Sequence, residues 1–212
     1  MSPLLQLTGV ETHIGRYHIL HGVDLSVQQG RVTMLLGRNG AGKTTTLRTI
    51  MGLWRASSGE IRFGDAHIEA KATPDIARLG LGYVPENMGV FSDLTVRENL
   101  VLAARDAALD EARLDWIFGF FPALKKFWLS RAGNLSGGQK QMLSIARALA
   151  EPRKLLLIDE PTKGLAPAIV AALIDCLADL KARGSTILLV EQNFLVAQQI
   201  GDDVVVMDNG RA

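Results

Sequence analysis

Gly37-Arg38-Asn39-Gly40-Ala41-Gly42-Lys43-Thr44 has the spacing G-x-x-x-x-G-K-[ST]. The chemistry that uses this spacing is phosphate binding. Glycines let the backbone of 37–45 wrap so that successive N–H groups face inward on phosphate oxygens, and a following helix adds its positive N-terminal end. Lys43 can reach the β- and γ-phosphates. The Thr44 hydroxyl suits Mg²⁺, with Thr45 beside it on the phosphates. A plain glycine-rich turn is the competing reading. It fits poorly, because the segment lies between an apolar run, Val32–Leu36, and a helical pattern from Thr44 to Leu53, the context a nucleotide loop requires.

A second group stands far along the chain. Leu155–Ile158 are four apolar residues, and Asp159 and Glu160 follow them. Asp159 is of the type that holds Mg²⁺ through water, and Glu160 of the type that polarises an attacking water. A buried strand ending in solvated acids would look the same, so the loop upstream decides for chemistry. A third segment, Leu135-Ser136-Gly137-Gly138-Gln139, precedes a helical stripe of Met142, Ile145, Ala146 and Leu149. Ser136-x-x-Gln139 is itself a capping box. Two consecutive glycines there are costly for capping alone, and useful where backbone N–H groups must approach an anion.

The elements that would carry these groups alternate. Val23, Leu25 and Val27 read as a half-buried strand and Val32–Leu36 as a fully buried one. Ile61 and Phe63, then Gly64-Asp65, then Ala66-His67-Ile68 read as a hairpin. Thr73-Pro74-Asp75 reads as the N-cap and first turn of a helix ending at Gly80, with a strand at Leu81–Val84. From Thr95 to about Ala150 no strand pattern occurs. Thr95-Val96-Arg97-Glu98 has the form of a capping box, and six of the twelve aromatics crowd into 116–128. Strand–helix alternation then returns: strands at Leu155–Ile158, Thr186–Val190 and Val204–Met207, helices at Pro167–Arg183 and Phe194–Ile200. Such alternation predicts βαβ units and a parallel sheet.

Composition bounds the rest. The 212 residues carry 23 Lys+Arg against 22 Asp+Glu, so the electrostatic footprint of a dedicated nucleic-acid binder is missing. No apolar run approaches the ~18 residues of a membrane span. Met1-Ser2-Pro3-Leu4-Leu5-Gln6 has no basic-then-apolar pattern, so no signal peptide is expected. Cys176 is alone and reads as a small hydrophobe.

LSGGQ at 135–139, Ile-Ala-Arg-Ala-Leu at 145–149 and Asp159-Glu160-Pro161-Thr162 together resemble the ATP-binding cassette (ABC) ATPases, over the whole chain and in the family's order. Tyr83-Val84-Pro85-Glu86, Val90-Phe91, Gly164-Leu165-Ala166-Pro167 and Val190-Glu191-Gln192-Asn193 are similar to an ATPase subunit of branched-chain amino acid importers, or of urea and amide importers. The resemblance implies an α/β fold: a P-loop NTPase (RecA-like) core with an N-terminal antiparallel β subdomain and an α-helical insertion subdomain. It divides 1–212 into core at 1–85 and 151–212, and helical subdomain with signature helix at 86–150.

It further implies ATP and Mg²⁺ as ligands and a head-to-tail dimer with a second ATPase subunit, like or unlike. Ser136, Gly137, Gly138 and Gln139 would then complete the partner's site. Transmembrane permease subunits, and indirectly a solute-binding protein, are the implied partners, with no nucleic acid. The implied location is the cytoplasmic face of the cell membrane.

This chain also departs from the family. Glu86 stands where most members carry Gln; its carboxylate can ligate Mg²⁺ or water but adds negative charge near phosphates. Gln192 stands where most have His, and it can donate to the γ-phosphate but not act as acid or base near pH 7. Proton acceptance then falls to Glu160. The position of the adenine-stacking aromatic falls by spacing at Ile14, which would pack as an apolar side chain, with Tyr17 either a substitute or simply a surface strand residue. Other readings are a non-transport ABC ATPase, disfavoured by the single cassette without coiled-coil insertion, and a weakly hydrolysing regulatory subunit. A GTPase is disfavoured because no Asn-Lys-x-Asp occurs. His13, His18 and His21 lack companion ligands at metal spacing. The 116–128 aromatics read first as core and second as a docking groove. Asp208-Asn209-Gly210 is a hairpin turn signal, so a trimmed cassette, short of its C-terminal strand, is expected.

Overall fold

The protein, seen in a computed structural model, is described at residues 3–104 and 108–212; Met1 and Ser2 of the leader reading fall outside. Two long strands open it, β1 (Leu5–Ile14) and β2 (Tyr17–Val27). Then come β3 (Val32–Leu36), α1 (Lys43–Ile50), β4 (Ala56–Phe63), β5 (Ala66–His67), α2 (Thr73–Arg78) and β6 (Leu81–Val84). A helical stretch follows: α3 (Val96–Val101), α4 (Glu111–Phe120), α5 (Pro122–Lys126) and α6 (Gly137–Leu149). Alternation returns with β7 (Leu155–Asp159), α7 (Pro167–Ala182), β8 (Thr186–Glu191), α8 (Phe194–Ile200) and β9 (Asp203–Val206).

These strands make two sheets. One is antiparallel, in the order β2-β1-β4-β5; the other is parallel, in the order β6-β7-β8-β3-β9. Side chains alternate across a strand, so β3, β6, β7 and β8 each feed two cores, while the edge strand β9 leaves Val204 and Val206 exposed. Leu35, Leu155, Leu157, Leu188 and Val190 pack with Leu5, Leu20 and Val27 of the antiparallel sheet and with Leu47 and Ile50 of α1. Met34, Leu156, Ile158, Ile187 and Leu189 pack on the other face with Leu143 and Ala146 of α6, Leu173 and Leu177 of α7 and Val196 of α8. Burial on both faces explains why β7 reads as a continuous apolar run.

Local chemistry sets the ends of the helices. In α3 and α6 the capping boxes form in full: Thr95 with Glu98, and Ser136 with Gln139. Pro167 occupies the first turn of α7, where no N–H is needed. α1 stops at Ile50, short of Leu53, and Gly52 turns the chain at φ 68°. The Thr73 cap is corrected. Ala72 is the N-cap, extended at ψ 149° and without a side-chain bond, and Thr73 already lies in the first turn with Pro74.

The strands correct the reading more. β1 was not foreseen, and β2 begins six residues before Val23. Register shifts between Leu7 and Val10 and between Thr12 and His13, with Gly9 at φ 57°, break the alternation that marks a strand. The predicted turn at 208–210 forms: Asp208 and Arg211 exchange backbone bonds of 2.9 Å, across Asn209 and Gly210 at positive φ. A Cβ on Gly210 would stand 2.2 Å from the Ile19 carbonyl oxygen, so only glycine fits there.

The aromatics of 116–128 divide. Phe121 is 1% exposed, while Trp116, Phe118, Phe120, Phe127 and Trp128 are partly buried against the same core. Trp116–Phe120 and Phe118–Trp128 meet edge to face at 5.7 and 5.4 Å. Phe121→Ala is therefore expected to cost about 3–5 kcal/mol in denaturant unfolding. A loss below about 1 kcal/mol would contradict its place in the core.

Candidate nucleotide site

The parallel sheet brings the chemistry-bearing segments to one edge. Leu36 pairs with Glu191, Asp159 with Val190 and Ile158 with Val84, so β3, β8, β7 and β6 end level. The carboxyl edge of a parallel sheet is where ligands of α/β folds bind. The loop after Leu36, the pair Asp159-Glu160, Gln192 and Glu86 all issue there.

The loop from Gly37 is shaped for an anion. Gly42 caps α1 at φ 106°, with no side-chain cap bond and no acidic residue in the first turn, so the helix N-terminus has no internal anion. A Cβ on Gly42 would meet Met207 Cε at 2.9 Å. Arg38, Asn39 and Gly40 stand exposed at the top of the loop, and Ala41 is buried beneath. Lys43 is 4% exposed and folds back on its own loop. Its Nζ donates to the carbonyls of Gly37 (2.9 Å) and Arg38 (3.1 Å) and lies 3.4 Å from Glu160 Oε1.

Asp159 lies opposite. The Thr44 hydroxyl donates to Asp159 Oδ1 at 3.1 Å, while the buried Oδ2 has no hydrogen-bond partner. Burial, with the charges of Glu86 and Glu160 adding to it, pushes the Asp159 carboxyl up to about 6, against the pull of Thr44. An orphaned carboxylate oxygen beside a hydroxyl is the hard-oxygen donor set that suits Mg²⁺.

In the metal-free protein this raised carboxyl makes stability depend on pH. The folded-state value lies above the ordinary one, so this group's contribution to stability is greatest at low pH and is lost as pH rises through about 6. The cost at neutral pH is on the order of 2–3 kcal/mol. Asp159→Asn removes it. With chelator present, the variant should melt a few degrees above the wild type at about pH 8, with the gap closing towards about pH 5. A lower melting point at about pH 8 would show that the carboxylate is not under this strain.

Glu160 has backbone φ 45°, a conformation uncommon outside glycine that marks a constrained position. Burial alone would raise its carboxyl. The Gln192 hydrogen bond, with Lys43 and Lys163, outweighs burial and holds it below the usual carboxylate range. Gln192 Nε2 donates to Glu160 Oε1 (2.7 Å) and to Asn39 Oδ1 (2.6 Å), so it ties the phosphate loop to the acid. Glu191 is 2% exposed and accepts from the N–H (3.1 Å) and hydroxyl (2.7 Å) of Thr162, pinning the turn after Glu160.

One cavity gathers most of these groups: Asn39, Gly40, Gly42, Lys43, Thr44, Thr45, Glu86 and Glu160 line it. Ile19 and Lys163 also line it, and the sequence reading selected neither. Lys163 had a signal, since it stands three residues after Glu160; Ile19 had none. Ile14 and Tyr17 lie at the β1–β2 turn outside that lining, with Tyr17 62% exposed under Arg16. Ser136, Gly137, Gly138 and Gln139 lie at the start of α6, also outside it, with Ser136 and Gln139 engaged in their own capping box. The His13 and His18 rings stack at 4.1 Å, and His21 lies tilted against His18 at 4.0 Å. Cys176 is buried, which pushes its thiol up to about 12. Among the described residues, no helix is long and apolar enough to cross a membrane.

The family model described as ABC transporter matches residues 20–163. The chain is 40% identical over 210 residues to the high-affinity branched-chain amino acid transport ATP-binding protein BraG of Pseudomonas aeruginosa, covering 98% of this chain and 90% of that protein. It is 38% identical to the probable branched-chain amino acid transport ATP-binding protein LivF of Archaeoglobus fulgidus, covering 92% and 84%. A solved ATP-binding subunit of an ABC transporter superposes with TM-score 0.86 at 32% identity, covering 99% of this chain and 88% of that one.

Proposed function

This chain belongs to the ABC transporter family, and from that premise we propose that it hydrolyses ATP to power an importer of branched-chain amino acids, or of related amides or urea. One observation carries the reading. Lys43, Thr44 and Glu160 line one cavity at the carboxyl edge of a parallel sheet, and the buried Asp159 lies beside it, bonded to Thr44. A cation for phosphate, oxygens for a metal and an acid for water are all present.

The residues divide the work. On binding, Lys43 exchanges the carbonyls of Gly37 and Arg38 for β- and γ-phosphate oxygens. The N–H groups from Gly37 to Thr45 close around the same phosphates. Thr44 and Asp159 would hold Mg²⁺, with Glu86 within reach, and the ion would neutralise charge on the phosphates. Glu160 accepts the proton of the attacking water. Gln192 aims that carboxylate and touches the γ-phosphate, taking no proton itself. Ile14, with Tyr17 as substitute, offers the apolar wall for adenine.

The chain works as a head-to-tail dimer, like or unlike, in which Ser136, Gly137, Gly138 and Gln139 of the partner subunit close over the γ-phosphate. The segment 86–150 forms the helical subdomain that, with Glu86, passes the closing motion to transmembrane permease subunits at the inner face of the membrane. A solute-binding protein acts one step further out. The test is assembly: the Glu160→Gln variant, mixed with ATP and Mg²⁺, should run as a dimer in size exclusion with light scattering. A monomer at saturating ATP would overturn the sandwich.

A further inference from the structure

We propose that Lys163 is a positioning residue of the phosphate cavity, holding Glu86 and Glu160 as one unit so that the cavity accepts a triphosphate despite its carboxylates. The inference deepens the ATPase reading above and rests on it.

The cavity is unusually acidic for a polyanion. Glu86 and Glu160 line it and Asp159 lies beside it, against the cations Lys43 and Lys163. Lys43 is already engaged with two loop carbonyls and with Glu160 Oε1. Lys163 takes the other oxygen: its Nζ is 3.4 Å from Glu160 Oε2 and 2.6 Å from Glu86 Oε1. Each oxygen of Glu160 therefore faces its own cation, and Glu86 has Lys163.

The turn that carries Lys163 is fixed. The Lys163 N–H donates to the Glu160 carbonyl at 3.3 Å, and the next residue inward, Thr162, is held by the buried Glu191 carboxylate. The hydrogen bond to Glu86, followed by the charges of Glu160 and Glu86, raises Lys163 above the usual lysine range. A surface ion pair of this exposure contributes little to stability. Its effect lies in the field inside the cavity, where a ligand of the same sign as Glu86 must sit. Losing Lys163 leaves two carboxylates turned on the triphosphate. Removing the charge of Glu86 as well should relieve part of that repulsion.

The experiment is a double-mutant cycle on Mg²⁺-dependent ATP hydrolysis by the complete chain. Lys163→Ala should raise KM for ATP by about tenfold, with an unchanged melting point. Glu86→Gln in the Lys163→Ala background should lower that KM by about threefold or more, and Lys163→Arg should keep it near the wild type. A merely structural role would not give rescue by removing a second residue. An unchanged KM in Lys163→Ala, or a double variant no better than Lys163→Ala, would overturn the proposal. A wild-type chain that hydrolyses nothing would instead overturn the ATPase reading, and this inference with it.

Discussion

Glu160→Gln lowers steady-state ATP hydrolysis by about 10²–10⁴-fold while ATP affinity is held or improved. The two halves of this expectation come from one geometry. Glu160 is 8% exposed, with Oε1 3.4 Å from Lys43 and 2.7 Å from Gln192. As the acid at the sheet edge it is the group able to take a proton from water, since its neighbour Gln192 cannot. Its charge also competes with phosphate for Lys43. An amide there loses the base and frees the lysine, so turnover falls and binding does not. Single-turnover hydrolysis and equilibrium titration read the two quantities apart. Turnover within about tenfold of the wild type would remove Glu160 from the chemistry.

Lys43→Ala has the other large effect, and it falls on binding. Lys43 is buried in a loop whose backbone N–H groups have no internal anion to meet. Truncating one member of a buried, hydrogen-bonded charge pair costs about 2–5 kcal/mol. That corresponds to a loss of ATP affinity of about 30- to 5,000-fold. The substitution also takes one cation from Glu160, leaving Gln192 and Lys163 to hold it. A melting curve is therefore needed beside the calorimetric titration. A folded Lys43→Ala chain that binds ATP as tightly as the wild type would exclude this loop as the phosphate site.

Much of the site was legible because its signals are local. The loop from Gly37 to Thr44 and the run from Leu155 to Glu160 are contiguous, and a buried parallel strand needs no partner to be read. The capping boxes at Thr95 and Ser136 were legible for the same reason, and the 208–211 turn too. β1 was not. Its alternation is interrupted by Gly9 and by register shifts against β2 and β4, and those belong to pairing rather than to the segment. Thr73 misled because Thr-Pro-Asp is good capping chemistry one residue out of place. The link from Gln192 to both Asn39 and Glu160 joins residues 153 and 32 positions apart, which only the level ends of β3, β7 and β8 bring together. Lys163 stands three residues after Glu160, but its partner Glu86, 2.6 Å away, is 77 positions back in the chain, so the sequence shows only half of the arrangement.

All of these roles assume a chain that turns over ATP with a divalent ion at Thr44 and Asp159. Phosphate release by the purified protein, with Mg²⁺ and then with chelator, tests that assumption directly. The arrangement of Lys43, Asp159 and Glu160 predicts hydrolysis that requires Mg²⁺, stops with chelator and is lost in Lys43→Ala. Hydrolysis that survives both the chelator and the loss of Lys43, or none by the wild-type chain, would contradict it.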